Sequence, residues 1–194
     1  MKLAGPMARP KALLITLATM VCLLALAGCA ISEQKGENGQ KKVDIQTPFA
    51  NLKVNTEVDA NDTGLPLYPG ARRKPRTPDN EHGANVNISG MGFGLKVAVV
   101  EFLSDDPPQK VLDFYRGKLK TMGGKFLECQ HEFMSYTRKH DEHELTCESG
   151  NSDGVELKVG RPENQHIVAV KPNGSGSDFA LVFVQTRGGK EGEL

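Results

Sequence analysis

Phe93-Gly94-Leu95-Lys96-Val97-Ala98-Val99-Val100-Glu101-Phe102-Leu103, followed at once by Ser104-Asp105-Asp106-Pro107-Pro108, decides the fold. The run becomes apolar on both faces from Val99 to Leu103, as a strand inside a sheet does. The segment after it reads as a helix start. Short polar side chains accept free amide hydrogens, acids suit the positive helix end, and proline fits the first turn. Beyond it Val111, Leu112, Tyr115, Leu119 and Met122 recur at helical spacing and form one apolar stripe, with Lys110, Asp113, Lys118 and Lys120 mostly off it. Gly123-Gly124 supplies the stop. A strand followed by a helix with a single apolar face predicts that the helix packs on a sheet.

Working outward, Val86-Asn87-Ile88 is the hairpin partner of that strand, turning through Gly90-Met91-Gly92. These glycines are no phosphate loop, since there is no Gly-Lys-Ser/Thr and no Gly-x-Gly-x-x-Gly spacing. After the helix the pattern is β, with candidate strands over 125–130, 133–138, 144–148, 155–159, 166–170 and 179–185. Turn signals at 150–154, 161–164 and 172–177 separate several of them. Leu65-Pro66-Leu67-Tyr68-Pro69-Gly70-Ala71 opens the compact part, with Tyr68 as a core anchor. The expected fold class is α+β: an antiparallel β-sheet with one main helix packed on one face, spanning 65–187, and a polar tail over 188–194.

Ahead of that domain, residues 29–64 read as a tether and a short extended segment. The stretch from Ser32 to Lys42 has almost nothing to bury and predicts a flexible tether with a reach of about 18 Å. Val43-Asp44-Ile45 and Leu52-Lys53-Val54 alternate around Pro48, as a short hairpin or two edge pieces would. Residues 55–63 are polar and read as a loop. Arg72-Arg73-Lys74-Pro75-Arg76 is the one strong cluster of a single charge, read as a solvated, proline-stiffened loop in preference to a site for anionic lipid or cell-wall polymer.

Residues 1–28 have the parts of a secretory signal. A basic start (Lys2, Arg9, Lys11) leads into a charge-free run from Ala12 to Leu26 that is too short to span a bilayer comfortably. Either Met1 or Met7 serves as a start, since Arg9 and Lys11 follow both. Leu26-Ala27-Gly28-Cys29 resembles the bacterial lipobox. The resemblance implies a diacylglyceryl group on the Cys29 thiol, cleavage just before it and acylation of the new amine. It implies a partner too: the membrane, reached through covalent lipid, a stable anchor with two or three acyl chains. Ala30 after the cysteine, where Asp is absent, implies the outer membrane, facing the periplasm, in a cell that has one. The order Tyr-Pro-Gly-Ala, strand, Ser-Asp-Asp-Pro-Pro, helix and β-rich half resembles a module of uncharacterised secreted bacterial proteins over about residues 65–186, and that family lends no activity.

With Cys22 leaving and Cys29 lipidated, Cys129 and Cys147 remain as a pair in an oxidising compartment, which points to a disulfide. A simple hairpin with its tip at 139–142 would put Met134 opposite Cys147, so the bond needs a bulge near 130–132, a tip nearer Arg138, or contact between non-neighbouring segments. The rival reading is a zinc or copper site built from Cys129, His131, His140, His143 and Cys147. Against it, His140 and His143 fall at an expected turn and do not form His-Glu-x-x-His on a helix.

Of 24 basic residues, Lys2, Arg9 and Lys11 precede Cys29, leaving 21 against 24 acidic ones, a formal −3 for the mature chain. That argues against a nucleic-acid partner held by a broad phosphate-neutralising face. No serine sits in a nucleophile elbow and no carboxylate pair stands out. The expectation is a non-catalytic, lipid-anchored binding or envelope-structural domain with no cofactor and no catalytic residue; the alternatives are a zinc or copper lipoprotein using the cluster at 129–147, or an enzyme whose site is assembled only in three dimensions.

Overall fold

The computed structural model describes residues 29–36, 40–77, 81–130, 144–147 and 154–188 of the 194-residue chain. In chain order these form β1 (Ala30–Lys35), β2 (Lys41–Gln46), β3 (Ala50–Asn55), a short 3-10 turn (Ala60–Thr63), β4 (Arg72–Arg73), β5 (Gly83–Gly90), β6 (Phe93–Ser104), α1 (Pro108–Thr121), β7 (Lys125–Gln130), β8 (Val155–Arg161), β9 (Asn164–Asn173) and β10 (Gly176–Arg187). All strands join one antiparallel sheet in the order β1-β2-β3-β5-β6-β10-β9-β8-β7, and β4 pairs with β6 beyond the end of β5. Among the described residues the sheet dominates over one α-helix, so this part of the chain is mainly β, more strand-rich than the α+β expectation.

β6 is the spine. Its even residues Ala98, Val100, Phe102 and Ser104 are buried, and their partners Phe179 and Leu181 on β10 and Val168 and Val170 on β9 continue the same face across the sheet. α1 lies over β8, β9 and β10 on this face. Its stripe closes the core as the periodicity predicted: Val111, Tyr115 and Leu119 are fully buried and Leu112 nearly so. Met122, the last of the expected stripe, is instead 42% exposed, because the helix has already ended. Phe179 sits among Tyr68, Phe102 and Tyr115, with ring centroids 5.6–6.3 Å away. Burying such side chains supplies roughly 1.5–3 kcal/mol each. Tyr115 donates its hydroxyl to the Pro66 carbonyl (3.0 Å), tying the 65–71 segment across the helix. Burial pushes the Tyr115 phenol well above its ordinary pKa.

The helix start differs from the expected cap. Pro107 is the cap residue and makes no side-chain hydrogen bond there. Asp106 is taken by other partners, accepting from the Tyr68 hydroxyl and Lys110 at 2.8 Å each. Ser104 Oγ accepts from the Asp106 amide, and Ser177 donates to the Asp106 carbonyl. The start is therefore fixed by proline and by tertiary contacts. Gly123 and Gly124 end the helix with φ of +75° and +91°, backbone that L-residues with a Cβ avoid.

Two further expectations, for the tether and for the strand at 144–148, fail in the described residues. The flexible tether is replaced at both its ends by strands: β1 pairs with β2 from Ala30↔Gln46 to Lys35↔Lys41. Every β1 side chain is exposed, so backbone hydrogen bonds alone hold it, which no hydrophobic pattern could reveal. Through β2 and β3, which do pair as a hairpin around Pro48, residues 30–55 extend the same sheet as the rest. The expected strand at 144–148 is not one over 144–147, because Leu145 is buried there in irregular backbone held by Cys147. The expected signal at 1–28, the strand at 133–138, and most of the tail lie outside the described residues.

Candidate functional site

Cys29, the expected lipidation residue, is a free and exposed thiol just before β1. The Ala30↔Gln46 register places it at the end of the sheet where β2 turns into β3. Lipid attachment there would leave the sheet's backbone pairing untouched.

Cys129 and Cys147 form a disulfide, with Cα atoms 5.5 Å apart. Among the described residues the strand neighbour of β7 is β8, and Cys147 meets Cys129 from a segment, 144–147, that is not a strand; residues 131–143, on which the bulge and the hairpin tip would fall, lie outside the described residues. Cys129 pairs across to Glu156, so the bond sits on the face opposite α1. Beside it Leu145 is buried, and Lys158, only 6% exposed, donates to the Thr146 carbonyl (3.1 Å) and stands 3.4 Å from Glu156. Both sulfurs are thus consumed and cannot act as thiolate ligands. His131, His140 and His143 lie outside the described residues. Among the described residues no group of three or more His, Cys, Asp and Glu could hold a metal ion.

The structure assembles one charged cluster that the sequence reading missed. Lys74 Nζ lies 3.0 Å from Glu101 Oε2 and 2.6 Å from Asp178 Oδ2. His82 Nδ1 is 2.9 Å from the same Glu101 oxygen. Lys171 stands 3.8 Å from Asp178. Antiparallel pairing of β6 with β10, Glu101↔Ala180, brings the two carboxylates onto one face, and β4 delivers Lys74 across the end of β6, where its amide donates to the Glu101 carbonyl. Asp178 and His82 are buried, at 8% and 7% exposure. His82 also adopts φ of +50°, uncommon for a residue with a Cβ. One signal was readable: Glu101 is a lone charge inside the apolar run of a central strand.

Two members of this cluster are held in their charged forms. Burial raises the Glu101 pKa, but hydrogen bonds from Lys74 and His82 outweigh it and hold the carboxyl below its ordinary value. Burial lowers the Lys74 pKa, but Asp178 and Glu101 outweigh it and hold the ammonium above its ordinary value. The cluster is a matched ion network that stitches β4, β6 and β10 together.

The rest of the basic run is also engaged internally. Arg72 makes a bidentate pair with Asp105, at 2.8 Å for both contacts. Arg73 donates to the carbonyls of Val58 and Thr56, and Arg76 to Thr56 and towards Glu81. Arg73, Lys74 and Arg76 are thus engaged within the domain, while the Arg72–Asp105 pair stays at the solvent-exposed surface.

An open cleft of about 540 Å³ lies over β1, β2, β3 and β5, lined mainly by polar side chains including Ser32, Gln34, Lys42, Asp44, Asn85 and Asn87. Register puts these on the α1 side of the sheet, beyond the reach of the helix. Such a surface can hydrogen-bond a polar ligand. Comparison with protein-family models, curated proteins and solved structures finds no match.

Proposed function

We propose that this chain is a membrane-anchored extracytoplasmic bacterial lipoprotein, held by lipid on Cys29, whose β-domain binds or builds in the cell envelope and does not catalyse. The observation that carries this reading is Leu26-Ala27-Gly28-Cys29 closing a charge-free run behind a basic start. Its location is the envelope, in the outer membrane facing the periplasm where two membranes exist. The Cys129–Cys147 bond supports an oxidising compartment. The contacts of Arg73 and Arg76 with backbone carbonyls and the Lys74 network support a scaffold role for these groups. The cleft over β1–β3 and β5 is the surface best suited to a polar ligand. The zinc or copper alternative loses its thiolates to the disulfide.

The test is intact-mass measurement of the mature protein with fractionation of a Cys29→Ala variant. The expected mass lacks residues 1–28 and carries acyl groups. The variant should keep its signal or leave the membrane fraction. Identical processing and membrane retention of the variant would overturn the anchor.

A further inference from the structure

Three neighbouring chain segments end together at one edge of the sheet. Cys29 leads into β1 beside Gln46, the β2–β3 turn lies next to it, and the β5–β6 turn follows through the Ala50↔Gly90 pair. In this chain 25% of all residues are charged, yet residues 45–52 and 88–95, which build the two hairpin tips, include no Asp, Glu, Lys, Arg or His. Exposed large apolar side chains collect here. Ile31 is 72% exposed, Phe49 68%, Met91 86% and Phe93 45%. Polarity also runs along the strands. On the face away from α1, register aligns Ile31, Ile45, Leu52, Ile88 and Leu95 near the tips, whereas Glu101, Asp178 and Lys171 occupy the far end.

The tips are built to hold these side chains out. Thr47 Oγ1 accepts from the Ala50 and Phe49 amides (2.9 and 3.4 Å) and so fixes the β2–β3 turn. At the β5–β6 turn Met91 and Gly92 both take positive φ, +40° and +88°. A two-residue turn of this kind favours Asn or Gly at the first position. Here a methionine is kept in that unfavourable conformation, at the apex and in water, where it stabilises nothing in the domain.

We propose that this edge seats in the bilayer that anchors Cys29, with Ile31, Phe49, Met91 and Phe93 entering the lipid surface. The inference rests on the lipid-anchor reading, because what selects lipid over a protein partner is the emergence of Cys29 beside these two uncharged tips, with Arg187, paired with Gly94, at their flank. Covalent acyl chains hold the domain close to the surface, so the tips enter at high effective concentration. Docking this way stands the strands away from the membrane. β6, about 35 Å long, then keeps the Arg72–Asp105 end far from the headgroups.

The chain has no tryptophan, so single Phe49→Trp and Met91→Trp variants of the acylated protein each carry one indole. Leu67→Trp is the control, at an exposed position beside Tyr68, whose hydroxyl meets Asp106 beyond the far end of β6. In phosphatidylcholine vesicles, both tip variants should shift to the blue and lose emission when the acyl chains are brominated, and the control should do neither. Acyl mass on Cys29 without bromine quenching at either tip would overturn the docking and leave the anchor standing. A blue shift without bromine quenching would also overturn it, in favour of a protein contact or a second copy at this edge. Absence of acyl mass would overturn the anchor and the docking with it.

Discussion

Glu101 and Asp178 share one ammonium: Lys74 stands 3.0 Å from the first carboxylate and 2.6 Å from the second. With Lys74 removed, two partly buried carboxylates face each other. Lys74→Met should therefore destabilise the domain by about 2–4 kcal/mol in denaturant unfolding. An unchanged midpoint would show that the cluster is held by solvent and not by the lysine.

The same network predicts an acid limb. Glu101 has a folded pKa below its ordinary 4.5. A depressed carboxylate contributes stability that is full above its unfolded pKa and is lost as pH falls through the folded one. Lys74 is raised above 10.5, so its contribution is full below that value and is lost at higher pH. The melting temperature should fall below about pH 4.5, and Glu101→Gln should flatten that fall. A variant with the same acid slope as the parent would remove Glu101 from the account.

On α1, Leu112→Asp or Tyr115→Asp should cost at least about 3 kcal/mol, since both side chains are buried in the core. Lys118 is exposed, with its ammonium over the Phe114 ring (5.5 Å), and Lys118→Asp should cost less than about 1 kcal/mol. Thermal melts of the three variants check this. Equal melting temperatures would mean that the helix stripe is not a core face.

Reducing Cys129–Cys147, which closes a separation of 18 residues, should lower stability by about 3 kcal/mol in the chain-entropy model. A chelator should leave the melting temperature unchanged. The denatured, unreduced mature protein should show no reactive thiol. Two thiols and one bound zinc or copper per chain would reverse the assignment.

Two bidentate ion pairs of like geometry should behave differently. Arg116 meets Glu128 at 3.0 and 2.6 Å, with both side chains mostly covered, and Arg116→Ala should cost about 1 kcal/mol. Arg72–Asp105 lies in open solvent, and Arg72→Ala should leave the melting temperature unchanged.

What the sequence displayed was local. The 93–103 run, the 108–121 helix, the strands at 125–130 and 155–159 and the hairpin around Pro48 each announce themselves through period, turn residue or cap, and each stands in the structure. β1 was hidden because Ser32, Glu33, Gln34 and Lys35 bury nothing, so its pairing leaves no trace in hydropathy. The Lys74–Glu101–Asp178 cluster was hidden because its members come from three parts of the chain and meet only through β6–β10 pairing. The apolar tips were visible as residues but not as neighbours, since their adjacency depends on the β3–β5 register.

That β6–β10 ladder has a kinetic consequence. Strands on either side of it pair with near neighbours in sequence, β1 to β6 in one series and β7 to β10 in the other. Of the strand pairings among the described residues, this ladder is the one that joins the two series, closing a loop that contains α1 and three strands. Such a closure loses chain entropy before its contacts repay it, so it is the natural barrier to folding. Val100→Ala and Leu181→Ala, at one cross-strand pair of the ladder, should slow refolding. Val54→Ala and Val86→Ala, a pair within the first series, should mainly speed unfolding in stopped-flow chevrons.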